Sequence, residues 1–523
     1  MSLSESQYNE LCDACNQLLV ASDSTIERIS IPWLHVIREH PIALESYKEL
    51  TNRAGSISAW RRLKYGSRNM AVWLRQIYKA VKSAEMPLIG MENVSSHVDV
   101  LFISHLLNPA QFYQADDFYF SSLPSELSQE GLSAVIALNN FSGKSGSYFQ
   151  GKRPGGTVPR VILGESLSLK GEWYLHKRLS QESRELARQA RSRICGLARS
   201  VTFRASSEAL SNGSLRALRL EVQISELVGR LKPRAIVVIH EGHSWERIAF
   251  AAARRADPDI LCVAYQHSLI FRLQYAIRQG LPQQYMPDRI MTSGTATKSL
   301  LENALALKNI PIDVLGSSRA PQPYGSDVAK SPVGSSRSTM PKIGCLVVPE
   351  GIITECNILF EFSIRCAQLC PDVQFIWRLH PLLTFDVILA RNAKLRKLPC
   401  NIRLSEASLE EDLAVCRLAL YRGTTAIVQA VGTGLRPVYL DRSGEMTIDP
   451  LYAMPAWRVH VETPREFQEV ARVETETPDQ DEARRVATEF CKRMFEPFNR
   501  RVLVDALDRP IVPRSKEGSN NAR

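Results

Sequence analysis

Short apolar runs alternate with helix-like stretches over most of the chain. Six such runs lie in the first part of the chain, and each ends in small or polar residues: 98–106, 132–140, 159–166, 233–242, 259–268 and 287–294. They lack the polar alternation of half-exposed strands, which is typical of parallel strands that are buried on both faces. This pattern predicts a doubly wound α/β domain over residues 96–316.

The same pattern restarts further along the chain. Residues 317–340 are rich in Ser, Pro and Gly, which predicts a linker. Strands are then predicted at 342–351, 372–381, 401–404, 417–423, 435–440 and 457–461, with helices at 355–370, 408–415 and 424–433. We therefore expect a second Rossmann-like domain over 341–475. A closing helix at 481–496, within 476–509, and a disordered tail at 510–523 are expected to follow it.

The first 95 residues have a different pattern. Helical stretches are interrupted at Pro32, Pro41 and Pro87, and there is no strong strand pattern. We predict a helical extension over residues 1–95. The expected fold class is therefore α/β, with two Rossmann-like doubly wound domains that face a cleft and a helical extension before them.

The composition is that of a multidomain globular protein, with 523 residues of which 44% are apolar and 23% are charged. This excludes a collagen, a mini-protein and a wholly disordered chain. The eleven cysteines are irregularly spaced, and the single CxxC motif, Cys12 to Cys15, has no second pair. That pattern favours reduced thiols in a cytoplasm over a disulfide framework or a zinc site.

Membrane-spanning and export signals are missing from the sequence. No apolar run reaches the roughly 18 residues that span a bilayer. The start, MSLSESQYNE, lacks the basic and apolar parts of a signal peptide. We therefore expect a cytoplasmic protein that is neither secreted nor membrane-spanning.

The net charge of +10 is concentrated in two windows. Residues 60–82 hold seven Lys or Arg and no acid, and residues 170–204 hold nine basic and three acidic residues, so the remaining chain is net −3 (10 − 7 − 6). In the first window apolar and aromatic residues recur at helical spacing. Such a helix either packs on the protein or attaches to an anionic membrane surface. No zinc-finger, RNP or heptad-plus-basic pattern indicates nucleic acid.

Candidate chemistry lies where the predicted strands end, because open α/β sheets bind ligands outside the carboxyl ends of their strands. In the second domain these ends read Pro349-Glu350-Gly351, Arg378-Leu379-His380-Pro381 and Gly423-Thr424-Thr425. The last leads from a strand into a helix, which suits either a phosphate or plain helix capping. His380 is placed to donate a hydrogen bond to a leaving phosphate and to supply positive charge. Glu350 is either an acceptor for a base or ribose hydroxyl or a turn carboxylate.

In the first domain the densest cluster is His240-Glu241-Gly242-His243. Its spacing is not HExxH, so the two histidines cannot share one helical face as metalloprotease ligands do. A carboxylate at a strand end suits a general base toward a hydroxyl or a nucleophile toward an anomeric carbon. Glu241 is the candidate catalytic carboxylate with Glu165 in reserve, and Glu246 is expected in the first turn of the next helix. The residues expected to line the acceptor side of this crevice are Glu165, His243, His267 and Ser268.

These motifs resemble those of the two-domain GT-B-type glycosyltransferases of bacterial surface polysaccharide biosynthesis, which build capsule and lipopolysaccharide. The likeness is to the sialyl- and Kdo-transferase group, because 349–351 and 378–381 are similar to its acidic-Gly and His-Pro motifs. Residues 408–413, 423–425 and 434–438 strengthen it, and it covers about residues 98–470. Pro349 stands where the group usually carries the first of two acidic residues, and HEGHSWER resembles a segment of surface-carbohydrate biosynthesis proteins.

The resemblance implies an enzyme that moves a sugar, such as CMP-activated Kdo or sialic acid, to a growing, lipid-linked glycan. No metal or cofactor is expected, and no P-loop or dinucleotide fingerprint matches. Glu241 and His380 would be catalytic, and the donor would contact Glu350, Gly351, Arg378, Pro381, Gly423, Thr424 and Thr425. The windows 60–82 and 170–204 would then contact the cytoplasmic face of a membrane. A nucleotide-sugar epimerase of the same fold and a non-catalytic subunit of a polysaccharide assembly complex remain alternatives.

Overall fold

The first sheet contains eight strands in the part of the chain that the structure describes. A computed structural model describes residues 4–39, 41, 59–82, 87–192, 196–320, 343–381, 383–472 and 478–508. Most of the predicted linker and all of the predicted tail lie outside these residues. The strands are β1 (Leu88–Ile89), β2 (Val100–Leu106), β3 (Ala134–Asn140), β4 (Arg160–Leu163), β5 (Ala235–Ile239), β6 (Leu261–Gln266), β7 (Arg289–Thr292) and β8 (Ile312–Val314).

These strands lie in the order β1-β4-β3-β2-β5-β6-β7-β8. All pairs are parallel except β1 with β4. Strands β3, β4, β5 and β6 are buried at every position, as their continuous apolar runs predict. The accompanying helices are α1 (Glu5–Val20), α2 (Ile26–Ile29), α3 (Pro32–Val36), α4 (Ala59–Lys82), α5 (Leu123–Glu126), α6 (Leu169–Ser192), α7 (Leu197–Glu208), α8 (Asn212–Leu231), α9 (Ser244–Ala256) and α10 (Thr295–Glu302).

The second sheet is wholly parallel in its described part and has the order β11-β10-β9-β12-β13-β14. Its strands are β9 (Ile343–Val348), β10 (Val373–Trp377), β11 (Ile402–Leu404), β12 (Leu418–Tyr421), β13 (Arg436–Leu440) and β14 (Val459–Val461). The helices of this part are α11 (Ile353–Leu369), α12 (Phe385–Leu389), α13 (Leu409–Ala414), α14 (Ala426–Gly432), α15 (Pro464–Arg472), α16 (Pro478–Lys492) and α17 (Arg500–Asp508). Apolar clusters cover both faces of the sheet.

Both sheets reverse their direction of winding at one point. In the first, β2, β3 and β4 extend one way and β5, β6 and β7 the other. In the second, β9, β10 and β11 extend one way and β12, β13 and β14 the other. The loops after β2 and β5, and after β9 and β12, therefore diverge and leave a crevice at the carboxyl ends of the strands. This confirms the predicted class of two Rossmann-like doubly wound domains with helices at the N-terminus.

The N-terminal helices belong to the core of the first domain. Tyr8 and Leu11 of α1 and Trp33 and Leu34 of α3 are buried in the same apolar cluster as β2 and β5. The Tyr8 hydroxyl donates to the carbonyl of Leu273 at 3.1 Å. The described part of residues 1–95 is mainly helical, as expected, but it also supplies β1, which at two residues is too short to leave a pattern.

The C-terminal segment crosses between the domains. Ala487 and Cys491 of α16 pack on the second domain, whereas Leu503 of α17 is buried in the core of the first. Between the two helices, the Glu496 carboxylate accepts a hydrogen bond from the backbone N–H of Thr295 at 2.7 Å. The helix expected at 481–496 is present as α16, and an additional helix, α17, follows it and returns the chain to the first domain.

Candidate active site

A cleft of about 590 Å³ lies between the two domains at the carboxyl ends of their strands. This volume is within the roughly 300–1,000 Å³ of small-ligand pockets. The first domain lines it with Leu107, Asn108, Ala110, Gln111, Gln114, Phe118, Tyr119, Glu241, His267, Ser268 and Arg319. The second lines it with Val348, Pro349, Arg378, Leu379, His380, Pro381, Leu409, Thr424, Thr425, Ala426 and Gln429, and Phe495 follows α16. Eight residues singled out from the sequence thus share one cleft, although they come from distant parts of the chain.

Glu246 shapes the loop after β5. Its carboxylate accepts hydrogen bonds from the backbone N–H groups of Glu241, Gly242 and His243 at 2.8–3.0 Å. It also lies 2.7 Å from Nδ1 of the buried His240. As predicted, Glu246 sits in the first turn of α9, where it is part of a capping box. Gly242 has φ +98°, and a Cβ there would lie 2.7 Å from a backbone carbon of the neighbouring loop, so glycine is required.

His243 bridges two carboxylates. Its Nδ1 lies 2.6 Å from Oε1 of Glu39, and its Nε2 lies 3.2 Å from Oε2 of Glu241. Burial alone would lower the pKa of His243, but the charge of Glu39 and the hydrogen bond to Glu241 outweigh burial and hold this pKa well above its ordinary value. His243 is therefore protonated at neutral pH and donates from both ring nitrogens. Because Glu39 follows α3, the N-terminal segment completes this cluster.

Glu241 is ionised at neutral pH. Burial would raise the pKa of Glu241. The hydrogen bond from His243 and the electrostatic effect of His267 outweigh burial and place this pKa well below its usual range. About a third of the Glu241 side chain is exposed, and Nε2 of His267 lies 3.8 Å from its Oε1. Burial lowers the pKa of His267 to about 4, and its ring packs edge-on against Tyr119. An ionised carboxylate beside a neutral imidazole can accept a proton or a hydrogen bond from a hydroxyl.

Two glycines let the motifs of the second domain touch one another. A Cβ at Gly351 would lie 2.9 Å from Nδ1 of His380, and a Cβ at Gly423 would overlap the Glu350 carboxylate. Any larger residue would therefore displace His380 or Glu350. Glu350, Gly351 and Gly423 are not among the residues that line the cleft, and they lie directly behind its wall.

Glu350 is held in its neutral form. Burial, and then the charge of Glu355, raise its pKa to about 8 against the opposing effect of Arg422. Arg422 is itself buried and pairs with Glu355 and Glu445, each at 2.9 Å. At neutral pH the Glu350 carboxyl is therefore a hydrogen-bond donor as well as an acceptor, rather than only the acceptor expected from the sequence.

Arg378 and His380 bring less charge to the cleft than expected. The Arg378 guanidinium donates to the buried Asp412 at 2.9 Å and to the carbonyl of Ala407 at 2.8 Å, which fixes its orientation. Burial, and then the charge of Arg319, lower the pKa of His380. The lowered pKa favours a neutral His380 imidazole at pH 7, which suits hydrogen bonding, and its expected positive charge toward a leaving phosphate stays a prediction.

Arg319 supplies the missing positive charge. It follows β8, lines the cleft, and lies close enough to His267 and His380 for its charge to lower the pKa of each. Among the described residues, none forms an ion pair with its guanidinium. A guanidinium placed in this way suits the phosphate or carboxylate of a ligand.

The two threonines after β12 have different surroundings. The Thr424 hydroxyl accepts a hydrogen bond from the backbone N–H of Ala426 at 3.3 Å, so it caps α14. Thr425 occupies the N-cap position itself and makes no side-chain capping bond. Both residues line the cleft, so a cap and a phosphate contact are compatible for Thr424 and both alternatives stay open.

Glu165 does not reach the cleft. Strand β4 is separated from β5 and β6 by β3 and β2, so the loop after β4 opens at a different part of the sheet edge. Glu165 lies 2.7 Å from Nζ of Lys79 and lines a second, smaller cavity. The prediction that it faces the same crevice as His267 and Ser268 is wrong, because it places β4 beside those strands. His243 also lies behind the cleft wall and acts on it through Glu241.

Two residues of the site have no motif in the sequence. Glu39 lies in the N-terminal helical segment, and nothing in its surroundings links it to residue 243. Arg319 is a single basic residue at the start of the predicted linker, five residues after the end of β8. Because a strand of three residues leaves no pattern, no signal in the sequence marks this position.

Helices α4 and α6 present an exposed apolar surface, here named the α4–α6 face. It consists of Met70, Leu74, Tyr78 and Val81 on α4 with Leu169 and Trp173 on α6, and these side chains are 45–69% exposed. Beneath it the Trp73 and His176 rings stack at 4.1 Å. Arg68 and Arg75 are exposed on α4. For Arg61, Arg62, Lys64 and Lys82 the structure describes the helical backbone but not the side chains.

Part of the second basic window is engaged within the protein. Arg178 pairs with Glu27 and Glu221, and Arg204 pairs with Glu208.

Within the described ranges, no group of three or more His, Cys, Asp or Glu side chains is placed to hold a metal ion. Of the described helices, none is both long enough and apolar enough to cross a bilayer.

No protein-family model matches the chain, and no curated protein matches it in sequence. Similar solved structures include CalG4, the calicheamicin glycosyltransferase (13% identity, 79% of this chain and 98% of that chain, TM-score 0.45), and the glycosyltransferase SnogD from Streptomyces nogalater (13%, 78% and 99%, TM-score 0.43). They also include the UDP-GlcNAc 2-epimerase from Methanocaldococcus jannaschii, with 11% identity over 75% of this chain and 99% of that chain and a TM-score of 0.41. At TM-scores below 0.5 these likenesses do not identify an activity for this chain.

Proposed function

We propose that the chain is a metal-independent glycosyltransferase of the GT-B type, with the nucleotide donor on the second domain and the acceptor on the first. One observation carries the proposal: Glu241 and His267 face Arg378, His380 and Thr425 across a single cleft of about 590 Å³. Both walls are formed at the points where the strand order reverses, which is where open α/β sheets bind ligands.

The residues of the first wall suit activation of an acceptor hydroxyl. The ionised Glu241 accepts the hydroxyl proton while the oxygen bonds to the anomeric carbon and the bond from that carbon to the donor phosphate breaks. If Glu241 instead attacks the anomeric carbon as the bond to the donor phosphate breaks, a covalent sugar adduct forms. The acceptor oxygen then displaces Glu241 and loses its proton to the released phosphate, so that two inversions retain the configuration. In either case His243 holds the carboxylate in place through the hydrogen bond to its Oε2.

The residues of the second wall suit the departing nucleotide. As the bond breaks, negative charge develops on the phosphate, and the Arg319 guanidinium, an N–H of His380 and the Thr425 hydroxyl are available to it. A well-placed donor of this kind contributes about 3–4 kcal/mol to catalysis. Glu350 lies behind this wall, so its neutral carboxyl would support the donor side through Gly423 rather than by direct contact.

We propose a CMP-activated acidic sugar, such as Kdo or sialic acid, as the donor. The motifs at 349–351 and 378–381 support the nucleotide, through their resemblance to the sialyl- and Kdo-transferase group. Arg319 supports the acidic sugar, because a cation between His267 and His380 suits a carboxylate as well as a phosphate.

We further propose that the acceptor is a lipid-linked surface glycan, such as that of lipopolysaccharide or capsule, and that the protein works at the cytoplasmic face of a membrane. The α4–α6 face supports this, because its exposed Tyr and aliphatic side chains on α4 lie on a helix with basic residues and no acid, and Trp173 of α6 extends the same face. The window 170–204 contributes less, since several of its arginines are paired within the protein.

A binding screen followed by product analysis tests the proposal. CMP, UDP, GDP and their sugars are titrated against the protein by thermal shift, where a ligand that binds the folded state raises the Tm. We expect a selective shift with one nucleotide, and then release of that nucleotide with a new glycosidic bond. An isomerised nucleotide sugar would instead indicate an epimerase. No binding of any nucleotide would indicate a non-catalytic subunit.

A further inference from the structure

A second cavity of about 100 Å³ lies at the carboxyl ends of β3 and β4, outside the cleft described above. Its polar walls come from four elements: β3, the loop after β4, α4 and α8. The volume is well above the roughly 10–15 Å³ that a single water molecule needs. The cavity therefore has room for a small polar group as well as for water.

Arg216 of α8 lines this cavity without a counter-ion. Its Nη2 donates to Oδ1 of Asn139 and to the backbone carbonyl of Asn140, and the guanidinium stacks 3.5 Å from the ring centre of Phe141. No described carboxylate forms an ion pair with it. Burial, and then the charge of Arg219, lower its pKa to about 10, and the charge of Glu165 across the cavity opposes them only in part. A partly desolvated cation that lacks an anion is costly, and a bound anion would offset that cost.

A second group in the cavity also lacks a partner. Asn139 is 2% exposed, and its Nδ2 donates to no other described group. Because Oδ1 of Asn139 is taken up by Arg216, the amide offers only its N–H donors. Buried donors of this kind normally have a partner. A hydrogen-bond acceptor in this cavity could therefore bind to both Asn139 and Arg216.

The charges around the cavity favour an anion. Lys79 of α4 adds an ammonium group 2.7 Å from Glu165, so one positive charge and one negative charge balance there. Arg219 is balanced by Glu172, at 2.7 Å. Together these groups, including Glu172 behind the wall, carry one net positive charge, which is that of Arg216.

The cavity lies on the same sheet edge as Glu241. Strands β3, β2 and β5 are parallel neighbours, so the end of β3 is about 10 Å from the end of β5 at roughly 4.8 Å per strand. On its other side the cavity is closed by Gln76 and Lys79 of α4. That helix also carries Leu74, Tyr78 and Val81 of the α4–α6 face. The cavity is thus placed between the exposed apolar face and the cleft.

We propose that this cavity binds an oxyanion, a phosphate or a carboxylate, that belongs to the acceptor. Arg216 and Asn139 donate to the anion, and Lys79 neutralises Glu165, whose charge would otherwise repel it. An acceptor held here by its anionic group extends along the sheet edge toward Glu241. The assignment to the acceptor rests on the proposed transferase function, whereas the anion site itself does not.

Anion titration without turnover tests the site. Inorganic phosphate and acetate are titrated by calorimetry against the full-length wild type, R216Q, K79Q and a control variant, R230Q, whose arginine is exposed on the same helix α8. We expect wild type and R230Q to bind one of the two anions with equal Kd, and the other two variants to bind it about ten-fold or more weakly. The preferred anion distinguishes phosphate from carboxylate. Unchanged nucleotide binding and circular dichroism show that each variant is folded.

Two results would overturn the site: no binding of either anion by wild type, or the same Kd in all four proteins. The acceptor assignment has its own test in the transfer assay. The preferred anion should raise the KM of the acceptor in wild type without raising that of the donor, and this effect should be lost in K79Q. An anion that binds but does not compete with the acceptor would overturn the assignment and leave both the anion site and the transferase function in place.

Discussion

The Nδ1 atom of His243 lies 2.6 Å from Oε1 of Glu39, and through this contact a residue before the first sheet helps to position Glu241. Glu39 is a positioning residue under the proposed function, because it acts through His243. Its carboxylate raises the pKa of His243, so the imidazolium that holds Glu241 persists as pH rises past the ordinary histidine value.

Removal of this carboxylate should shift the pH profile. In E39Q the pKa of His243 falls, so the imidazolium is lost at a lower pH and the alkaline limb of kcat moves toward neutrality. We expect kcat at pH 8 to fall about 10- to 100-fold because Glu241 loses its orientation. The pH dependence of kcat measures this.

A matched control separates positioning from stability. Glu27 also lies in the N-terminal helices and forms an ion pair, with Arg178, away from the cleft. E27Q should change stability without moving the alkaline limb. Equal profiles for E39Q, E27Q and wild type would contradict the role of Glu39, whereas E39D should restore part of the wild-type profile.

Glu350 should make the protein less stable in alkaline solution. Its folded-state pKa is raised to about 8, so between its ordinary value and pH 8 the folded state binds a proton that the unfolded state has lost. The stability that the neutral carboxyl contributes is thus present at low pH and lost as pH rises through 8. E350Q keeps a neutral side chain at all pH values. We expect it to have a Tm about 2–4 °C above wild type at pH 9 and no such advantage at pH 4.

Thermal unfolding across this pH range provides the measurement, with nucleotide binding as a second readout. Because a neutral amide also donates, E350Q should retain most of the donor affinity at pH 7, and E350A should lose it. A Tm difference that does not change with pH would show that Glu350 is not held neutral.

Arg319 should matter for the donor more than for the fold. R319Q removes the cation from the cleft, so we expect the Kd for the nucleotide sugar to rise about ten-fold or more. The pKa of His267 and of His380 should rise at the same time, because the charge of Arg319 lowers both. NMR titration of the two histidines measures the second effect. R391Q, a variant of an exposed arginine in the second domain, should leave both unchanged.

The α4–α6 face should bind anionic vesicles. Val81 and Leu74 are 69% and 61% exposed, and a carboxylate on either would oppose insertion and be repelled by anionic lipid. We expect L74E and V81E to reduce co-sedimentation with phosphatidylglycerol vesicles. The control is L305E, since Leu305 is 77% exposed elsewhere on the first domain. If L305E reduces binding as much as L74E does, the face has no special role.

The strands and their ends could be read from the sequence because buried parallel strands leave continuous apolar runs. The short strands β1 and β8 were missed, since two or three residues leave no pattern. The same reasoning placed Glu241 and His380 at strand ends, and the structure puts both in one cleft.

Strand order and side-chain partners could not be read in this way. Glu165 was assigned to the wrong crevice because order within a sheet is set by packing between distant segments. Glu39 reaches His243 across about 200 residues of chain, and Arg319 gains its importance only where the domains meet. The charge state of His380 likewise depends on burial and on Arg319, neither of which a local motif contains.

The most direct test of the account is the separate measurement of turnover and donor binding in E241Q and H380A. If the two walls of the cleft serve acceptor and donor, E241Q lowers kcat about 100-fold or more and leaves the donor Kd within about two-fold of wild type. H380A, in contrast, weakens donor binding as well as turnover. Wild-type turnover in E241Q, or donor binding that neither H380A nor R319Q alters, would contradict the proposal that sugar transfer takes place in this cleft.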